Sequence, residues 1–395
     1  MRVLLFTGKG GVGKTTMSAA TAVLAALRGQ KTLVLSTDPA HSLADAFGVA
    51  LGNEPTEISG SAGTLYGQQV DTQRAFEASW REVQHYLREV LEAGGVDPIE
   101  AEELTVLPGA EEVLALLELR RQVERWDVVV VDCAPTAETL RLLALPEALN
   151  WYMDRVFPTE RRVVRTLRPV LSHFAGVPMP PDRVFAAVER LHGDLSDVRR
   201  LLVDPATTSV RLVLTPEAVV VAEARRTLTS LAMHGYRVDG LVANRIFPVD
   251  GDDFVRGWAA AQQTQLDGIG ASFGAVPMWR SPYLRSEPVG VDALADLAGE
   301  MYRDTDPIVV IDTPDPMTVE RFDDEFILSV ALPLADKREV DLVRKGDELV
   351  LTVGSHRRVL ALPSVLTRCI ADGAALRDGR LRVRFRPNPD LWMRS

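Results

Sequence analysis

Residues 2–16 read RVLLFTGKGGVGKTT, and the order of those letters decides the fold. Arg2 to Thr7 is a short apolar run that suits a buried parallel strand. Lys14 to Arg28 is alanine-rich, carries apolar residues at helical spacing and is closed by Gly29. Strand, glycine loop and helix therefore follow one another. The intervening G-K-G-G-V-G-K-T matches G-x-x-x-x-G-K-[ST], a loop whose backbone N–H groups cradle phosphates at a helix N-terminus. Gly10, Gly11, Val12, Gly13, Lys14, Thr15 and Thr16 form the expected phosphate cradle. Lys14 reaches the β- and γ-phosphates, and the Thr15 hydroxyl takes Mg²⁺. The expected fold is α/β, a P-loop NTPase with a mostly parallel sheet flanked by helices.

Composition sets the frame around that loop. The 395 residues are 46% apolar and 25% charged, the profile of a globular chain long enough for two domains. A net charge of -11 argues against a nucleic-acid surface, which needs cations to displace counterions. Cys133 and Cys369 are the only cysteines and lie far apart, without metal spacing. No apolar run reaches the roughly 18 residues that span a bilayer, and the first strand leaves no room for a signal peptide. A cytoplasmic protein without a transmembrane segment is expected.

Lys9 has no role in the phosphate motif, yet the chain holds only five lysines and two of them bracket this loop. K-G-G-V-G-K-T-T resembles the deviant P-loop of the family that includes MinD, ParA, nitrogenase iron protein and the arsenite-pump ATPase ArsA. The resemblance implies that Lys9 crosses a homodimer interface to the partner's nucleotide, stabilising transferred charge as an arginine finger does. Lys31 to Ser36 reads as a second buried strand that delivers S-T-D-P-A-H-S-L at its C-terminal end, where open α/β sheets place ligands. Asp127 to Asp132 is a third strand, followed by C-A-P-T-A-E-T-L-R. An apolar strand ending in Asp beside a P-loop commonly holds Mg²⁺ through water. These two blocks resemble switch I and switch II of the ArsA and Get/TRC branch. Asp38 is thereby implied to orient the attacking water, Asp132 to stand on the Mg²⁺ side through water, and Pro135 and Thr136 to belong to the second switch. The Gly-His pair usual in the targeting factors is replaced by Ala137-Glu138.

Val210 to Leu214 and Val238 to Ala243 read as further strands, with a helix from about Glu217 to His234 between them. Asn244 follows the second, where the family has an asparagine reading the adenine edge; a strand-end turn residue is the alternative. P-M-W-R-S-P, beginning at Pro277, resembles the loop covering the adenine in relatives. Arg74 to Leu91 and Trp151 to Phe174 carry apolar side chains at helical spacing. In the targeting factors such helices build a hydrophobic client groove, whereas an ordinary amphipathic helix turns this face to the core.

Around residues 304–317 the chain breaks at repeated Asp-Pro and Thr-Pro steps, and the pattern then turns from helical to alternating. Phe326, Leu328 and Val330 alternate with Ile327, Ser329 and Ala331. Leu381, Val383 and Phe385 alternate with four arginines, Arg380, Arg382, Arg384 and Arg386. A small antiparallel all-β sandwich follows, with turns at Gly346-Asp347 and Asp378-Gly379. Its pattern resembles the α-crystallin domain of small heat-shock proteins. The arginine face suits either solvent or an anionic partner.

The expected organisation is an ATPase domain over residues 1–305, with a helical client-type subdomain at about 72–120 and 150–205. A linker over 306–317 and a crystallin-like domain over 318–395 complete it. The expected function is a Mg²⁺-dependent ATPase that closes as a homodimer around ATP, coupled to a hydrophobic protein client or membrane-protein partner. The alternative is the ATPase of an arsenite-type pump, though arsenite wants about three thiolates and the chain has two cysteines.

Overall fold

The computed structural model describes residues 1–38, 42–60, 64–70, 110–134, 136, 182–274, 276–323 and 325–391. The expected apolar helices at 74–91 and 151–174 lie outside these residues. Eight strands form the larger sheet: β1 (Arg2–Thr7), β2 (Thr32–Ser36), β3 (Thr56–Glu57), β4 (Leu65–Gln69), β5 (Val128–Asp132), β6 (Thr208–Leu214), β7 (Val238–Ile246) and β8 (Met278–Pro282). Their order is β3-β4-β2-β5-β1-β6-β7-β8. Every residue of β1, β2, β5 and β6 is buried, the signature of parallel strands covered on both faces. No helix among the described residues is long and apolar enough to cross a membrane.

Contacts divide the chain into two compact units, residues 1–3, 18–207 and 289–295 in the first, and 4–17, 208–288 and 296–395 in the second. In the first, β2 lies parallel to both β4 and β5, and the register sets Ser36 beside Gln69 and beside Asp132. Gln68 leaves β4 to donate to Glu118 Oε1 at 2.7 Å, and Gln122 donates to the same oxygen at 2.8 Å. Both amide N–H groups thereby find the acceptor that a buried donor needs.

In the second unit β7 pairs in parallel with β6 on one side and β8 on the other. β8 corrects the reading of P-M-W-R-S-P as a loop: Met278–Pro282 is an edge strand. Trp279 and Ser281 turn inward and Arg280 outward, and Pro282, which lacks an N–H, is tolerated at the end of an edge strand.

The C-terminal region is a separate antiparallel sandwich. A four-stranded sheet runs in the order β14 (Cys369–Arg377), β15 (Arg380–Pro387), β10 (Glu325–Ala331), β9 (Met317–Phe322). A three-stranded sheet holds β11 (Val340–Lys345), β12 (Glu348–Val353) and β13 (His356–Ala361). The period-2 pattern fixes the register: Phe326 faces Phe385, Leu328 faces Val383, and Val330 faces Leu381, all six buried. Asp378 and Gly379, both at positive φ, form the two-residue turn between β14 and β15, the geometry a tight hairpin demands. The outward arginines meet acids of their own chain. Arg386 pairs with Glu325 at 2.8 Å and Asp372 at 2.9 Å, and Arg384 lies 3.5 Å from Asp372.

The helix after β6, α1 of this unit (Ala218–Met233), carries the sandwich. Met233 is fully buried in the sandwich core, its carbonyl accepts from the buried Arg358 of β13, and Thr229 Oγ1 donates to the Pro333 carbonyl. Between Tyr302 and Met317 the chain has no helix or strand, yet it is pinned. Arg237 pairs with Asp315, and the Pro307 carbonyl accepts from Arg211. Arg211 is wholly buried, 3.4 Å from Asp239, 2.9 Å from the Tyr302 hydroxyl and 4.6 Å over the Trp279 ring. A buried cation is tolerable only with such company.

Candidate functional site

The loop after β1 belongs to the second unit. Gly11 and Gly13 adopt φ of 81° and 94°, which L side chains rarely do. A Cβ on Gly13 would also collide with the Asn244 side-chain amide, whereas one on Gly10 or Gly11 would meet nothing within 4 Å. The outer loop is open, and its base is tightly fitted. Lys14 opens the helix Lys14–Leu27 (α2) and is 6% exposed; its Nζ lies 3.4 Å from the Lys9 carbonyl. The ammonium thus folds back under the loop, where a phosphate would meet it. Lys9, Thr15 and Thr16 are partly exposed.

A cavity of about 490 Å³ adjoins the loop, lined by Gly13, Thr16, Asn244, Ser281, Tyr283 and Arg285 among others. Ser281 is buried, and its Oγ has no hydrogen-bond partner among the described residues. A buried hydroxyl without a partner fits a cavity made for a polar ligand. Pro277 does not line this cavity. It precedes β8 and its carbonyl accepts from Leu241, while Pro282 at the far end of the strand forms part of the wall. Ser281 and Pro282 close the P-M-W-R-S-P stretch, whereas Tyr283 to Pro288 carry no signal in the sequence, because only formation of β8 brings them to this position.

Asn244 sits near the end of β7, 6% exposed. Its Nδ2 donates to the Val12 carbonyl at 2.8 Å and its Oδ1 accepts from Arg245 N at 2.8 Å.

In the first unit the C-terminal ends of β2 and β5 hold Asp38 and Asp132. Asp132 is fully buried, and its Oδ2 accepts from Ser36 Oγ at 3.3 Å. The same hydroxyl oxygen accepts from Asp38 N at 3.3 Å, and the Asp132 carbonyl accepts from Thr37 N at 2.9 Å. Ser36 thus bridges the two carboxylate residues. Its place directly before T-D was the only sequence signal. Among the described residues no group of three or more His, Cys, Asp or Glu could hold a metal. The oxygen donors available, a threonine hydroxyl and a carboxylate, are the kind that suits Mg²⁺ when phosphates and water complete its shell.

Residues 1–303 match the family described as anion-transporting ATPase, and residues 323–385 match the HSP20-like domain found in ArsA. A protein of Chlorobaculum tepidum, provisionally named arsenical pump-driving ATPase, is 37% identical over 98% of this chain and 96% of its own. A similarly named protein of Aquifex aeolicus is 34% identical over 93% of this chain and 95% of its own. A Trypanosoma cruzi protein named ATPase ASNA1 homolog is 31% identical over 74% of this chain and 88% of its own.

Proposed function

The chain belongs to the anion-transporting ATPase family and is an ATPase; from that premise we propose that it works as a Mg²⁺-dependent homodimer that closes around ATP. The observation that carries the reading is the open glycine loop with the Lys14 ammonium buried beneath it. Lys14 binds the β- and γ-phosphates, and the N–H groups of Gly10 to Thr16 hold them in place. Thr15 and, through water, Asp132 would hold Mg²⁺, whose charge would help neutralise the transferring phosphoryl group. Asp38 orients the attacking water, and Ser36 fixes the backbone from which Asp38 projects. Lys9 serves the partner's nucleotide. The working division is an ATPase domain over 1–305, a segment over 306–317 and a sandwich over 318–395.

Hydrolysis is coupled to a hydrophobic protein client or a membrane-protein partner, a reading supported by the relatives named ASNA1 homologs. The names of the pump-driving relatives favour a second reading, an anion-pump ATPase. Stimulation of turnover by arsenite would select it, but two buried cysteines cannot supply three thiolates within one subunit.

The principal test is Lys14→Ala. ATP binding is expected to vanish in calorimetry, because the phosphates lose their main counter-charge; unchanged affinity would overturn the site.

A further inference from the structure

We infer that Asn244, set by Gln262, is a positioning residue for the phosphate loop and acts whatever base the nucleotide carries. The inference rests on the ATPase reading and assigns work to a side chain that would otherwise be taken for a base reader.

Strand β7 does not end regularly. Its register against β8 shifts between Ala243 and Ile246, so Asn244 and Arg245 occupy a bulge, and Arg245 adopts φ of 58°. Bulges re-aim side chains, and a non-glycine residue at positive φ persists only where its surroundings hold it. Here the holder is Gln262, 3% exposed, from the helix Asp253–Phe273 (α3). Its Nε2 donates to the Arg245 carbonyl at 2.9 Å, and its Oε1 accepts from Phe247 N at 2.8 Å. One side-chain amide thus pins the chain where it leaves the bulge, from the Arg245 carbonyl to the Phe247 amide.

The bulge aims Asn244 at the loop. The Nδ2 bond to the Val12 carbonyl fixes the peptide between Val12 and Gly13, which immediately precedes Lys14. Oδ1 closes on the neighbouring Arg245 N, so both ends of the amide are engaged in holding backbone. The same Nδ2 fills the space where a Cβ of Gly13 would stand. Gly13 and Asn244 are therefore a matched pair: the glycine admits the amide, and the amide fixes the glycine's carbonyl neighbour. Among the described residues of the cavity wall, the buried polar atom lacking a partner is instead Ser281 Oγ.

Two roles for Asn244 separate cleanly in experiment. Asn244→Asp keeps the acceptor for Arg245 N but turns an oxygen toward the Val12 carbonyl. Gln262→Met keeps the volume and removes both bonds at the bulge. If Asn244 positions the loop, affinities for MgATP and MgITP, which differ at the base edge, fall by the same factor, on the order of tenfold for Asn244→Asp. Gln262→Met gives a smaller loss, again equal for the two nucleotides. In the nucleotide-free full chain, hydrogen exchange at the amides of residues 10–16 is faster in both variants than in wild type. A loss of ATP affinity several-fold greater than that of ITP, or loop exchange unchanged in the nucleotide-free Asn244→Asp protein, would overturn the inference. Wild type binding neither nucleotide would sink the ATPase reading, and loop exchange alone would then decide for or against the strap.

Discussion

In β1, β2, β5 and β6 of the larger sheet every residue is buried, whereas in β15 of the sandwich Leu381, Val383 and Phe385 are buried and Arg382, Arg384 and Arg386 are exposed. A sheet covered on both faces has no surface on which to display a side chain, so its polar groups either satisfy one another inside, as Arg211 and Asp239 do, or stand where strands end. Ser36, Asp38, Asp132 and Asn244 all stand at such ends. The sandwich has a free outer face and uses it for Arg386, Glu325 and Asp372, which satisfy one another. One region concentrates chemistry at its edge, and the other spreads neutralised charge over its flank.

Substitutions that break each region should fail in different currencies. The largest effect is expected at a strand end. Lys9→Ala should retain ATP binding through Lys14 and Thr15 yet lose hydrolysis about 10³-fold or more, as when a cation acting in trans is removed. Equilibrium binding and steady-state turnover read the two separately. Mixing this variant with Asp38→Asn should restore part of the activity at the one site that has its own Asp38 and an intact partner Lys9. A Lys9→Ala protein hydrolysing ATP at the normal rate would remove the trans assignment.

In the sandwich the expected loss is in stability. Phe385 is fully buried opposite Phe326, and Phe385→Ala should cost about 3–5 kcal/mol in urea unfolding. A cost below about 1 kcal/mol would mean that this pair does not anchor the core.

The smallest effect concerns pH. Burial, then the charges of His234 and Arg226, lower the His356 pKa from its ordinary 6.5. The folded state thus disfavours the charged imidazole. Below about pH 6.5 the unfolded chain takes up the proton first, so this contribution is full at higher pH and is lost as pH falls through that value towards the lowered one. His356→Gln should flatten that part of the stability profile. An unchanged profile would remove His356 as its source.

These contrasts also explain what could be read in the letters. Val3 to Phe6, Val128 to Val131 and Leu212 to Leu214 are apolar without interruption, so hydrophobicity alone announces buried strands there. Phe326 and Leu381 announce themselves by alternation. β8 does neither: Met278–Pro282 is short, half polar and bounded by prolines, and it becomes a strand because β7 offers an edge. Gln262 was invisible for a related reason. One glutamine on a helix looks solvated until the end of β7 supplies the carbonyl, 17 residues earlier, and the amide, 15 residues earlier, that it holds. The role of Ser36 cannot be read within S-T-D-P, because it depends on β5 lying alongside.

Arg358 and Met233 set the terms on which the sandwich could ever be traded for another module. The helix that follows β6 ends with its last side chain in the sandwich core and its carbonyl capped by a guanidinium from β13. A gene cut ahead of residue 306 would leave an oily stub and an uncapped helix terminus facing water. Shortening such a protein to its nucleotide-binding part therefore requires rewriting Thr229, Met233 and Arg237, residues that belong by sequence to the part being kept. The appendage is grafted into the body, and its removal is a problem of surface redesign as much as of truncation.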